Sequence, residues 1–436
     1  MINKKCRFTV RILFCLLLLQ FLGSISHSKI LNEEGITQKE SIGSRGGKAD
    51  WSQYRGPNRD GVAVSDMSIK AWPSGSPPFQ VWKKPIGEGF SGIVITGDFL
   101  ITAIAEEDTE FLVSFEKTTG KEIWRTPLGK MFVEEMGNGP RATPTLDGDF
   151  AYILNSYGGL FCARIKSGEQ IWTVSLPDTF NIQRPLRGFS TCPLILDEIL
   201  IIHGGGEDSA FIGLDKKTGK TIWQTGDSTA GHSSPFTAVI NGVEQCVFTV
   251  ARQVEENGEK KILEEAVSVS ADGKILWRGP SLPQIIAMPV FVPPNKVFIS
   301  SSVENGCLLI QVLPDGKVET VWQNTEMRNH FNSSVYYKDH IYGFSSSTLK
   351  CLVAETAQRK WSTRGYGKGS LIIADEKLIV LSDRGMLALI EATPKGYKEL
   401  ARAQVIEGKS WTSPTIENGI IYMRNQKEMA CYDLTK

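Results

Sequence analysis

The sequence predicts an all-β chain: an eight-bladed β-propeller of four-stranded antiparallel blades, its ring closed by an N-terminal strand. Three observations predict it. A tryptophan recurs behind one short phrase. Each phrase ends a unit of four short apolar runs separated by turns. The two ends of the repeat array are incomplete in complementary ways.

The phrase comes first. Ile-Trp closes Thr118–Trp124, Lys166–Trp172 and Lys217–Trp223, and Ala271–Trp277 differs in detail. In all four the glycine stands four residues before the tryptophan. Looser copies end at Trp322 and Trp361. Successive tryptophans are 48, 51, 54, 45 and 39 residues apart. A period of this length built from short strands indicates propeller blades.

One unit shows how a blade is made. Thr143–Leu146, Phe150–Leu154, Leu160–Arg164 and Gln170–Val174 are four strand-like runs, with Asp147-Gly148-Asp149 and Ser156–Gly159 as turns. Such runs between Gly/Asp turns read as antiparallel hairpins. Gly168 and its counterparts supply the positive φ of a tight third-to-fourth turn. The tryptophan fills the wedge between neighbouring blades, with its N–H reaching a backbone carbonyl. A seventh unit runs from Gly369 to about Leu400. An eighth begins at Trp411 and stops after its third strand, Met429–Leu434. Upstream, Phe79–Trp82 is a fourth strand without the three before it. The fragments complete each other, and closure removes sheet edges that invite aggregation.

The chain has 436 residues, 42 glycines and a formal net charge of zero. That suits a single turn-rich β domain over residues 79–436 and argues against nucleic-acid binding or general adhesion to a membrane surface. Residues 1–28 read as a secretory signal: Lys4, Lys5, Arg7 and Arg11, then an apolar run from Ile12 to Leu22, then small residues. Export to the periplasm or cell exterior follows, with no stable membrane insertion after cleavage and a monomeric state expected. Cys15 lies inside the apolar run, which argues against a lipid anchor. Residues 29–50 read as a flexible leader and 51–78 as a strap packed on the ring.

Six cysteines follow the signal. Cys162 and Cys351 lie ten residues before their unit's tryptophan, and Cys431 takes the same register. Ser114, Gly213 and Val267 are the expected occupants of that register in other units. Equivalent positions in different blades cannot reach disulfide distance. These thiols are expected free and buried, with Cys192, Cys246 and Cys307 behaving alike.

Chemistry-bearing signals are few. His203-Gly204-Gly205-Gly206-Glu207-Asp208 looks like a phosphate loop, but no helix follows it, so a hairpin turn is expected. Glu255–Glu265 reads as a solvated hairpin tip. The histidines show no pair at metal-ligand spacing. One constellation emerges from topology. First strands line the channel of a propeller, so residues leading into them converge on one mouth. Here these are Arg141, Arg187, His232, His330, Asn332, Lys368 and Trp411. They can hold an anionic ligand, or pair with Glu88, Glu134 and Glu135 and face water.

Leu214–Trp223 matches the Leu-Asp-x-x-Thr-Gly-x-x-x-Trp core completely, and the repeats resemble the pyrroloquinoline-quinone (PQQ) type. The Trp51–Gly61, Gly367–Leu371 and Glu391–Tyr397 phrases resemble a group of exported PQQ-like propeller proteins. The resemblance implies one of two functions. Quinoprotein alcohol dehydrogenases in that wider family carry an adjacent cysteine pair and a calcium-binding set, and they tend to be longer. This chain has no Cys-Cys dipeptide. The outer-membrane assembly propeller binds partners without catalysis, and carries a lipid-anchor signal. The preferred expectation is a non-catalytic exported scaffold for a protein or glycan, with no cofactor. The alternative is a PQQ-dependent oxidoreductase, with calcium, holding its quinone at the mouth residues.

Overall fold

Short strands cannot bury both faces alone, so units of this kind stack on their neighbours. In the computed structural model, which describes residues 50–436 apart from 65–67, 74, 257–258 and 303–304, they form eight four-stranded antiparallel sheets. Blades 1 to 7 span 94–130, 145–175, 194–225, 236–278, 290–324, 335–363 and 370–404. Blade 8 combines three strands within 415–433 with the N-terminal strand Phe79–Pro85. The signal, and the leader apart from Asp50, lie outside the described residues.

The closure strand pairs antiparallel with Glu428–Asp433, from Phe79 opposite Asp433 to Pro85 opposite Glu428. A second lock sits beside it. Arg424 of blade 8 is fully buried and pairs with no carboxylate among the described residues; its guanidinium donates to Thr102 Oγ1 (3.1 Å) and the carbonyls of Ala103 (2.8 Å), Gly87 (2.9 Å) and Gly89 (3.3 Å). It therefore ties the last blade to the first.

The tryptophans dock blade on blade. Trp82, Trp124, Trp172 and Trp223 donate from Nε1 to the carbonyls of Lys117, Ile165, Lys216 and Ala271 in the next blade, at 2.8–3.1 Å. Trp322 and Trp361 repeat the bond to Ala354 and Thr393. Trp277 instead donates to Gln245 Oε1 within its own blade. The phrase glycine has two reasons to be glycine. Gly168 has φ +73°, and a Cβ there would lie 2.6 Å from the Trp124 ring of the preceding blade. Gly120, Gly219 and Gly273 meet Trp82, Trp172 and Trp223 in the same way. The sequence repeat is thus the imprint of one inter-blade contact.

All six described cysteines are free and buried. Cys162, Cys351 and Cys431 stand opposite Trp172, Trp361 and Trp82 across the third and fourth strands, and opposite Tyr152, Tyr342 and Tyr422 on the second. Burial pushes each of these thiols up to about 12. One register assignment is corrected. Ser268, not Val267, faces Trp277, because the turn after Val269 is one residue shorter than those after Phe115, Ala163 and Leu214.

His203–Asp208 does form a hairpin connection, between strands Ile199–His203 and Phe211–Asp215. The blade 4 hairpin, Val243–Glu256 with Glu259–Val269, is far longer than its counterparts, and Ile262 near its end is exposed. Glu265 departs from the expected solvated tip: it is 4% exposed and holds Arg252 and Arg278 at 2.7 Å each.

His203 itself is buried between Phe211 and Phe248, its Nε2 within 3.1 Å of Ser228 Oγ. Burial lowers its pKa to about 4. The unfolded chain protonates this histidine near 6.5 and the folded chain only near 4. Its contribution to stability is therefore complete above pH 6.5 and is lost as pH falls towards 4, at up to about 1.4 kcal/mol per pH unit. Asp60, raised to about 6 by burial, opposes this over the same range. The expected result is that lowering the pH from 6.5 to 4 costs His203→Gln less stability than it costs the wild type, the unopposed Asp60 now setting the slope, read by urea unfolding. Parallel profiles would contradict it.

Candidate functional site: the channel and its mouth

The chain reaches the channel before the ring begins. The Trp51 and Ser52 carbonyls accept from Ile95 N (2.9 Å) and Leu146 N (2.8 Å), in the first strands of blades 1 and 2. Arg59 Nη1 donates to Pro235 O (3.0 Å) and Cys192 O (3.4 Å). Its Nη2 donates to Thr145 Oγ1 (3.0 Å) and to Pro193 O. Arg55 donates to Ser333 O (2.9 Å) and Ser334 O (2.7 Å) in front of blade 6. Gly61 O accepts from Ile373 N of blade 7, and Tyr54 lies beside Ser413 before blade 8. One short segment thus touches the inner wall of seven blades, more deeply than a strap over the face.

Its local shape follows from its residues. Arg55 and Arg59 take left-handed backbone at φ +63° and +57°, a conformation disfavoured for bulky side chains. The surrounding carbonyls over-determine that turn by binding both guanidiniums. Gly61, at φ +79°, leaves room for Arg55 Nη2, which a Cβ would approach to 2.8 Å. Burial pulls Arg59 down to about 10, so it stays charged at neutral pH.

The loops entering the first strands form the mouth, on the face opposite the hairpin turns that follow those strands. Arg141, Arg187 and His232 stand before blades 2, 3 and 4, and share one neighbourhood. Arg141 Nη2 lies 3.5 Å from Glu134 Oε2, and Arg187 Nη1 pairs with Glu134 Oε1. Ser190 Oγ is 3.0 Å from His232 Nδ1. Burial, then the charges of Arg187 and Arg141, lower His232. Burial lowers Arg141 too, and its buried Nη1 has no hydrogen-bond partner.

His330, Asn332, Lys368 and Trp411 stand before blades 6, 7 and 8. Asn332 Nδ2 donates to Lys368 O (3.2 Å) and Gly369 O (3.1 Å). Burial first, and Lys368 second, lower His330. The two halves of the mouth are joined by rings that the sequence reading did not select. Trp411 packs on Phe331 (centroids 4.6 Å apart) and stacks on Phe90 (5.7 Å). Arg141 lies 4.9 Å over Phe90, and Lys409 4.5 Å over Trp411. Aromatic stacking and cation–π contacts therefore run across the mouth from blade 6 to blade 2.

Beside the mouth lies an apolar shelf on the connections around blade 2. Val133, Met136, Tyr157 and Leu186 are exposed, Leu186 by 87%. Phe132 packs edge-on to Tyr157, and Arg184 lies 5.2 and 5.4 Å over those two rings. Buried Glu110 fixes the shelf from below, accepting from Ser156 Oγ (2.8 Å), Ser156 N (3.3 Å) and Phe132 N (3.3 Å). Desolvation raises its pKa. The signal for this shelf was in the sequence: apolar residues at loop positions where turn residues are the rule.

No curated protein matches the chain. Among solved structures it is similar to BamB from Moraxella catarrhalis, at 14% identity and TM-score 0.59, covering 82% of this chain and 97% of that one. It is also similar to the quinohemoprotein alcohol dehydrogenase of Comamonas testosteroni, at 11% identity and TM-score 0.61, covering 89% and 81%. A europium-containing methanol dehydrogenase matches at 9% identity and TM-score 0.60, covering 87% and 90%. At these identities the likenesses are of fold. A family model described as "Outer membrane protein assembly factor BamB" matches residues 108–363, more than half of the chain. The chain belongs to that family of propellers.

Proposed function

We propose that this chain is a non-catalytic exported propeller that binds a protein partner through the mouth face beside blade 2. The observation that carries the reading is the apolar shelf. Val133, Met136, Tyr157 and Leu186 stand exposed together, held from below by Glu110. Arg184 and Arg187 flank the shelf and suit a partner segment that mixes apolar and acidic residues. The family's description as an assembly factor agrees with a partner-binding role. Export is part of the same proposal, supported by the basic and then apolar start of the chain. Among the described residues no helix is long and apolar enough to cross a membrane.

The second reading, a quinone-dependent oxidoreductase, rests on the fold likeness to the dehydrogenases and on the unpartnered Nη1 of Arg141. The mouth residues do not fit a calcium-held quinone. Arg141 and Arg187 are engaged by Glu134, and a divalent cation at that carboxylate would face both guanidiniums. The Trp411 ring is in contact with Phe331, Phe90 and Lys409. Among the described residues no group of three or more His, Cys, Asp or Glu is placed to hold a metal ion.

A photo-crosslinking side chain at Leu186 is expected to capture a partner in the producing cell. The same group at Ile222, exposed on the outer strand of blade 3, is expected not to. Adding Val133→Glu should reduce capture at least about tenfold, since a buried charge disfavours an apolar contact by more than 1.4 kcal/mol. Equal capture at the two positions would reject the shelf.

A further inference from the structure

A second site stands apart from the mouth, at the outer edge of blade 6. A cleft of about 610 Å³ opens between the outer strands Thr348–Val353 and Arg359–Thr363 and the connection that enters the blade. Four cations line it: Arg328, Lys350, Arg359 and Arg364. Hydroxyls line the rest: Ser345, Ser346, Ser347 and Thr348 at one turn, Ser362 and Thr363 from the last strand. The lining residues include no aromatic or aliphatic side chain.

The charges are not balanced. Lys350 Nζ reaches Glu326 Oε2 at 3.2 Å and Arg359 reaches the same oxygen at 3.5 Å. With Glu326 counted, the described residues leave a net charge of +3. Arg364 Nε donates to Thr348 Oγ1 at 3.3 Å. The buried Nε of Arg328 has no hydrogen-bond partner. Buried donors are rarely left unpaired without a reason, and like charges repel unless something between them is negative. Guanidinium forks match tetrahedral oxyanions, and clustered hydroxyls suit a hydroxylated body. The volume falls in the range of small-molecule sites, roughly 300–1,000 Å³, and exceeds what a single ion fills.

We propose that this cleft binds a phosphate or sulfate ester carried on a sugar. Arg328, Arg359 and Arg364 hold the oxyanion, and the serine and threonine hydroxyls bond the sugar. The site is independent of the apolar shelf. The test is calorimetric titration of the full chain, at low ionic strength, with glucose 6-phosphate, glucose 6-sulfate, inorganic phosphate, inorganic sulfate and glucose. The esters are expected to bind, glucose not, and binding to weaken as salt rises. Arg359→Gln with Arg364→Gln, both exposed, should weaken ester binding at least about tenfold while leaving the melting temperature unchanged. Arg328→Gln should do the same, and if that variant fails to fold the exposed pair decides. Absence of ester binding, or binding unchanged in the double variant, would overturn the proposal. Free phosphate or sulfate binding as tightly as the esters would overturn the sugar part of it.

Discussion

Deletion of residues 1–84 is expected to convert the protein into an aggregating species. The deletion removes nearly all of Phe79–Pro85, the fourth strand of blade 8. It leaves the Glu428–Asp433 edge unpaired over the register from Phe79 to Pro85. It also removes Trp82, whose Nε1 bonds Lys117 O of blade 1 and whose ring covers Gly120. The exposed edge would then template pairing with another chain. A deletion of residues 1–63 isolates the cause, because it cuts the channel segment but keeps the closure strand. That shorter deletion should remain soluble with a lowered melting temperature. Light scattering and thermal melting read both. A soluble 1–84 deletion melting like the wild type would contradict ring closure by this strand.

Arg59→Ala is the point substitution with the largest expected cost. Its guanidinium serves Thr145 Oγ1 and the carbonyls of Cys192, Pro193 and Pro235, spanning blades 2, 3 and 4 at the centre of the ring. Hydrogen bonds to a charged donor contribute about 1.5–3 kcal/mol each, and acceptors left buried without a partner add about 1–3 kcal/mol each, so a loss of at least about 3 kcal/mol is expected. Arg59→Lys should recover less than half of it, because an ammonium cannot reproduce the planar fork. Urea unfolding checks both values. A loss under about 1 kcal/mol for Arg59→Ala, within the range of an ordinary surface change, would mean that the segment rests on the ring without holding it.

The blades were legible because a local unit recurs in which a tryptophan falls against the next unit's glycine. Trp124 over Gly168 is one contact written twice in the sequence, and Trp82 over Gly120, Trp172 over Gly219 and Trp223 over Gly273 repeat it. Ring closure was legible because Phe79–Trp82 lacked partners nearby. The register slot at Val267 was misplaced by a turn one residue short, a change that spacing arithmetic cannot see without the pairing. The mouth residues were found by topology, since each precedes a first strand. Glu134, one of the carboxylates the sequence offered as partners, engages Arg141 and Arg187 from a loop. Phe331, which meets Trp411 from a blade that is not its neighbour, was not legible. Arg55 and Arg59 were not singled out within the strap because most of their partners are backbone carbonyls, which carry no sequence signature.

On the proposed reading this propeller binds a partner and does not oxidise alcohols. The most direct measurement adds PQQ and calcium to the purified protein and follows bound-quinone absorbance together with dye-linked alcohol oxidation, in the wild type and in the Arg141→Ala, Arg187→Ala double variant. The account predicts no turnover in either. Alcohol oxidation by the wild type that the double variant loses would contradict it and establish the mouth as a quinone site.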